Sequence, residues 1–150
     1  MEWIIYFIAS WILFVLLIDI KKIKINIWGG VLAVLLQLIF DTEAMNHKLY
    51  IINNPILELW GSSLFFILGP SFTIGVLIAQ YQPENKVMRI ANVLALTTLY
   101  TLMELLLVLR KAVVYLDWHW HDSIGVNFGI MIIISWFVIV ILRKKDGVKL

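Results

Sequence analysis

Two of the chain's three histidines and two of its seven tryptophans fall within Tyr115-Leu-Asp-Trp-His-Trp-His-Asp122. Asp117, His119 and His121 alternate along this stretch. An extended backbone would set them on one side and Trp118 and Trp120 on the other. Imidazole and carboxylate together are zinc-ligand chemistry, and a further ligand would have to come from His47, Asp41 or Glu43. A helical backbone would instead bring Asp117 beside His121 and His119 beside Asp122. Histidine titrates near neutrality, so the same groups are candidates for a pH-responsive or ligand-contacting surface. The plainest reading is anchoring, because Trp and Tyr collect where an amphipathic ring meets both water and lipid. Trp3, Trp60, Tyr115, Trp118 and Trp120 are the candidate interface anchors. No H-E-x-x-H or comparable metalloenzyme spacing, phosphate-binding loop or nucleophile elbow is present. No catalytic residue is therefore assigned, and no cofactor or nucleic-acid partner is expected.

Glu104 is the second chemical candidate, for a proton, cation or ligand contact. It is the one acidic residue well inside an apolar run, roughly 7–8 Å from its end at 1.5 Å per residue. Thr97, Thr101 and Lys111 share its helical face. A carboxylate at such depth faces the protein interior unless it is paired or protonated. Its structural partners would be Asn92, Gln37 or Asn127, or the nearby Arg110 and Lys111.

The elements that must position these groups are membrane-spanning. The chain is 62% hydrophobic and only 15% charged, against about 45–50% and about 25% in soluble domains. Spanning about 30 Å of hydrocarbon takes about 20 apolar residues. This criterion gives five spans, at about 3–18, 23–40, 57–79, 87–109 and 124–142, in a single all-α bundle with no internal repeat. The absence of cysteine removes disulfides, thiolate nucleophiles and Cys-based metal sites.

The charges support five spans rather than four. With five, Lys21, Lys22, Lys24, Lys86, Arg89, Arg143, Lys144, Lys145 and Lys149 share one side, and only Lys48, Arg110 and Lys111 the other. Without the second span the division becomes six against six. The positive-inside rule favours the biased arrangement, with the amino terminus outside and the carboxy terminus cytoplasmic. The first span begins with acidic Glu2 and has no small-residue cleavage site after it, unlike a secretory signal peptide.

Helices in lipid associate through small residues and interhelical hydrogen bonds. The candidate contacts are Gly125 with Gly129, Ala91 with Ala95, Gly29 with Ala33, and Ser71 with Gly75. Gly125-Val-Asn-Phe-Gly129 is expected to serve internal packing. Gly69-Pro70 interrupts the third span, because Pro70 cannot donate to the carbonyl of Phe66. A bend is the simple outcome, and a discontinuous helix at a transport site the functional one.

Tyr81-Gln-Pro-Glu-Asn-Lys86, then Glu104, then Tyr115-Leu-Asp-Trp-His-Trp120 before a last helix resembles a family of small, uncharacterised integral membrane proteins found mainly in Gram-positive, spore-forming bacteria. The resemblance covers about residues 64–142. His119 and the short basic tail depart from the commoner pattern. It implies a multi-pass protein of the bacterial cytoplasmic membrane and assigns no activity. The expected function is that of a non-enzymatic sensor, accessory or ligand-binding component. A small oligomeric transporter or channel using Glu104 and Pro70 is the alternative, and a metal-dependent lipid enzyme at the outer interface is a third. The expected partners are the lipid bilayer and either further copies of the chain or another membrane protein.

Overall fold

The apolar runs fold into five helices in a computed structural model that describes residues 1–142: α1 Glu2–Leu17, α2 Ile23–Asn46, α3 Leu64–Tyr81, α4 Lys86–Leu109 and α5 Trp120–Leu142. Arg143, Lys144, Lys145 and Lys149, on which the basic-tail reading rests, lie outside the described residues. Helices α2 to α5 are long and apolar enough to cross a membrane. Helix α1, with 16 residues, reaches about 24 Å at 1.5 Å per residue. The outward faces carry exposed apolar side chains such as Val15, Leu16, Ile90 and Leu102, as a lipid-facing surface requires.

Side-chain bonds fix the helix directions. At one end, the Trp3 indole donates to the Asn53 carbonyl (3.0 Å) after α2. At the other, Tyr81 donates to the Leu17 carbonyl (2.6 Å) and Gln80 accepts from the Asp19 amide (2.7 Å). Successive helices therefore alternate in direction. Helix α3 packs between α1 and α2, and α2 and α4 both contact α5.

Two expected boundaries move. Helix α2 continues to Asn46 instead of stopping near residue 40, because its last turns bury Asp41 and Ala44. Helix α3 starts at Leu64, because the residues before it form a hairpin. In that hairpin Glu58–Leu59 (β2) pairs with Ser62–Ser63 (β3) across Trp60-Gly61. Both turn residues have positive φ, 50° and 86°, the two-residue geometry that follows strand twist. A side chain at Gly61 would also collide with Met45, whose sulfur lies 2.7 Å from the Cβ position.

Small residues join α2 to α3. A Cβ on Gly29 would lie 2.5 Å from the Gly75 carbonyl oxygen and 2.8 Å from the Ala79 methyl. The expected internal role of Gly125 and Gly129 is not met among the described residues, where a Cβ on either touches nothing within 4 Å. Ala91 and Ala95 are likewise exposed. Spacing four residues apart marks a smooth stripe on a helix, but only a facing element turns that stripe into a contact. Gly69 and Pro70 are buried in a widened π-type turn, Ile67–Ser71, which absorbs the lost Pro70 donor without breaking α3.

A repetition absent from the sequence appears in the backbone. Helices α2 and α4 end alike, with Lys48 and Lys111 at φ 55° and 58°. Leu49 and Ala112 donate back to Ala44 and Leu107, both at 2.8–2.9 Å, closing each helix by a Schellman motif. Each chain segment then becomes a strand, Tyr50–Ile52 (β1) and Val113–Tyr115 (β4). These pair antiparallel with Tyr50 opposite Tyr115.

Candidate functional site

The β1–β4 ribbon lies across the ends of α2 and α4, and each of its paired tyrosines reaches a carboxylate on the helix before it. Tyr50 donates to Asp41 Oδ1 (2.5 Å) and Tyr115 to Glu104 Oε1 (2.8 Å). Burial pushes both phenols above their ordinary titration range, and the adjoining carboxylates push them further. They are therefore neutral donors at any physiological pH.

Asp41 is 3% exposed. Besides Tyr50 it accepts from Gln37 one turn earlier (2.8 Å) and from the Ser62 hydroxyl of the β2–β3 hairpin. Glu104 is half-buried and held across a helix interface. Ser123 donates to Oε1 (2.5 Å), and the Asn127 amide donates to Oε2 (3.0 Å) and to Thr101 (3.2 Å). Trp118 donates to the same Ser123 hydroxyl (2.7 Å). Each carboxylate thus accepts three hydrogen bonds where an ionised one offers about four acceptor positions. Tyr100 extends the network, donating to Gln37 (2.8 Å) and sharing a 2.9 Å bond with Ser71 beside the Pro70 turn.

Asp41 and Glu104 line one cavity of about 60 Å³, room for a few waters or a small ion. Six of its sixteen lining residues are aromatic, Trp3, Tyr50, Tyr100 and Trp118 among them, and none among the described residues is Lys, Arg or His. A second void of about 10 Å³ continues toward Ser71 and Ile134. Ile134 and Val76 are fully buried, and α2 meets α3 through Gly29 and Gly75.

Sequence reasoning located Glu104 and named Asn127 among its partners, but it placed Asp41 in a loop. The available signal was Gln37 and Asp41 four residues apart on one helical face. The groups expected to pair with Glu104 through charge, Arg110 and Lys111, do not contact it; the Lys111 carbonyl instead accepts from Asn53 (3.0 Å). Of the expected anchors, Trp60 and Trp120 are 70% and 59% exposed, whereas Trp3 is 2% exposed and packs edge-on against Phe66. Trp118 and Tyr115 turn inward to the Glu104 network rather than outward. The stretch from Asp117 is neither wholly extended nor wholly helical: His119 is extended and α5 starts at Trp120. This separates exposed Asp117 from the histidines and brings Asp122 to them instead.

Four helices long and apolar enough to cross a membrane, with a cavity that two carboxylates line, give the chain the character of a helical membrane protein. Comparison with protein-family models, curated proteins and solved structures gives no match.

Proposed function

We propose that this protein is a non-enzymatic, ligand-binding component of a bacterial cytoplasmic membrane, and that its cavity takes a small ammonium-type cation from the outer side. The observation that carries this is the pair Asp41 and Glu104 on one cavity without a basic residue in its walls among the described residues. Two carboxylates away from water demand compensating positive charge or protons. The acceptor position left on each suits N–H donors, and aromatic walls attract a weakly hydrated cation through their ring faces. The side assignment rests on the positive-inside bias with five crossings, α1 included, and on the alternating helix directions. The spore-former family suggested by the Glu104 and Tyr115–Trp120 pattern agrees with this location.

Trp3 and Trp118 border the cavity, so the test is a fluorescence titration. The full chain in zwitterionic nanodiscs is titrated with sodium, potassium, ammonium and methylammonium chlorides. A saturable change with ammonium or methylammonium, lost in Asp41→Asn and Glu104→Gln, is the expected result. A response identical in the wild type and in the double variant would discard the reading.

The second void beside the Pro70 turn favours a second reading, a transporter. That reading requires proteoliposome flux that disappears in Glu104→Gln. The closed α2–α3 contact beneath the void argues for binding without passage.

A further inference from the structure

We infer that His119, His121 and Asp122 form a binding site for a divalent transition-metal ion of the zinc class at the outer rim of the cavity. The inference is independent of what the cavity binds. One ligand atom from each of the three residues lies within 4.8 Å of the others. A tetrahedral zinc ion with nitrogen ligands at about 2.0–2.1 Å needs them about 3.3 Å apart. The remaining adjustment falls to exposed side chains, His119 and His121 being 65% and 62% exposed, although the His119 side chain also meets the Asp122 backbone in a capping box.

The geometry is set by the start of α5. His119 is the extended residue before the helix and His121 stands in its first turn, so the two imidazoles come side by side, centroids 5.2 Å apart and planes 18° from parallel. Asp122 Oδ2 accepts the His119 backbone N–H (2.9 Å), which fixes the carboxylate between them. His119 Nδ1 then stands 3.6 Å from Oδ2 and His121 Nε2 3.6 Å from Oδ1. Asp122 Oδ1 makes no hydrogen bond among the described residues and is the oxygen free to ligate. Two imidazoles and a carboxylate match zinc, nickel and copper better than calcium or magnesium, which prefer all-oxygen shells. Three protein ligands leave a position for water.

The site is one residue from Trp118 on one side and from Ser123 on the other, and both belong to the Glu104 network. A bound ion would clamp the turn that carries them. Its occupancy is thus legible in the same tryptophan signal, although the ion touches neither carboxylate of the cavity.

The full chain, free of any histidine tag, in zwitterionic nanodiscs is titrated with zinc by calorimetry, and separately with cobalt while its visible absorption is recorded. One ion per chain is expected, with tetrahedral-type cobalt bands and at least tenfold weaker binding in His119→Ala and in His121→Ala. His47→Ala is the control, because exposed His47, just past α2, pairs among the described residues only with Glu43; its affinity should equal that of the wild type. His121→Ala leaves the Asp122 cap intact, so unchanged helix content in that variant ties the loss to the ligand. No zinc uptake by the wild type, or uptake undiminished in the double histidine variant, would overturn the site. The cation titration of the cavity uses no transition metal, so either result can fail alone.

Discussion

The α2–β1 and α4–β4 units share a backbone plan and differ in how each holds its carboxylate. Both run as a 24-residue helix, a left-handed lysine and a short strand whose tyrosine reaches back to an acid. Asp41 draws its partners from its own helix, its own strand and the hairpin that follows. Glu104 draws two of its three from α5. Unit α2–β1 is central, locked to α3 through Gly29 and Gly75, whereas Ala91 and Ala95 on α4 face outward. The same local fold therefore yields a structural acid deep in the core and a more accessible acid at a helix interface.

The largest expected effect separates the two scaffolds. Gly29→Val should destabilise the protein by about 3 kcal/mol or more, since the added carbons meet backbone that cannot yield, while Ala91→Val should be within about 0.5 kcal/mol. Thermal unfolding in detergent measures both, and equal losses would erase the distinction between a central and a peripheral unit.

Next comes the acid pair. Asp41→Ala removes a buried acceptor from three donors, of which Ser62 is fully buried, and should cost about 3–5 kcal/mol, against about 1–3 kcal/mol for Glu104→Ala, where the acid is half-buried. A larger loss for Glu104 in the same unfolding assay would reverse the ranking of Asp41 as the more structural acid.

The smallest effect concerns the paired tyrosines. Tyr50→Phe should cost about 1–2 kcal/mol and Tyr115→Phe about 0.5–1.5 kcal/mol. Both phenols titrate above their ordinary value of 10.0 in the folded chain, so the folded state keeps these protons longer than the unfolded state does. The associated stabilisation is complete below that pH and declines as pH rises beyond it. Stability measured from pH 9 to pH 11 should fall less steeply in Tyr50→Phe than in the wild type; parallel curves would show that the Tyr50 proton is not linked to folding.

The opening cluster shows how much of a site composition can reveal. The density of Trp, His and Asp in Tyr115–Asp122 marked a break between apolar runs, and the stretch does lie between α4 and α5. The division of labour within it was not legible. Trp118 and Tyr115 are inward and Trp120 outward because the strand stops at Tyr115 and the helix begins at Trp120, so side-chain direction follows neither period 2 nor period 3.6 throughout. Trp3 was misplaced for a related reason: nearness to a helix end says nothing of whether a neighbour such as Phe66 covers the ring.

By itself, the sequence determined the helical membrane class, the approximate helices and the anomaly of Glu104. These depend on apolar run length and on the cost of charge in hydrocarbon, both of which are properties of short segments. Only the tertiary structure decided that Asp41 is inside, that it shares a cavity with Glu104, and that Gly29 rather than Gly125 makes a helix contact. Those facts depend on which faces meet across sequence separations such as Asp41 to Ser62 and Glu104 to Asn127. Periodicity gives each helix a face, but the identity of the facing element is fixed only when the helices pack.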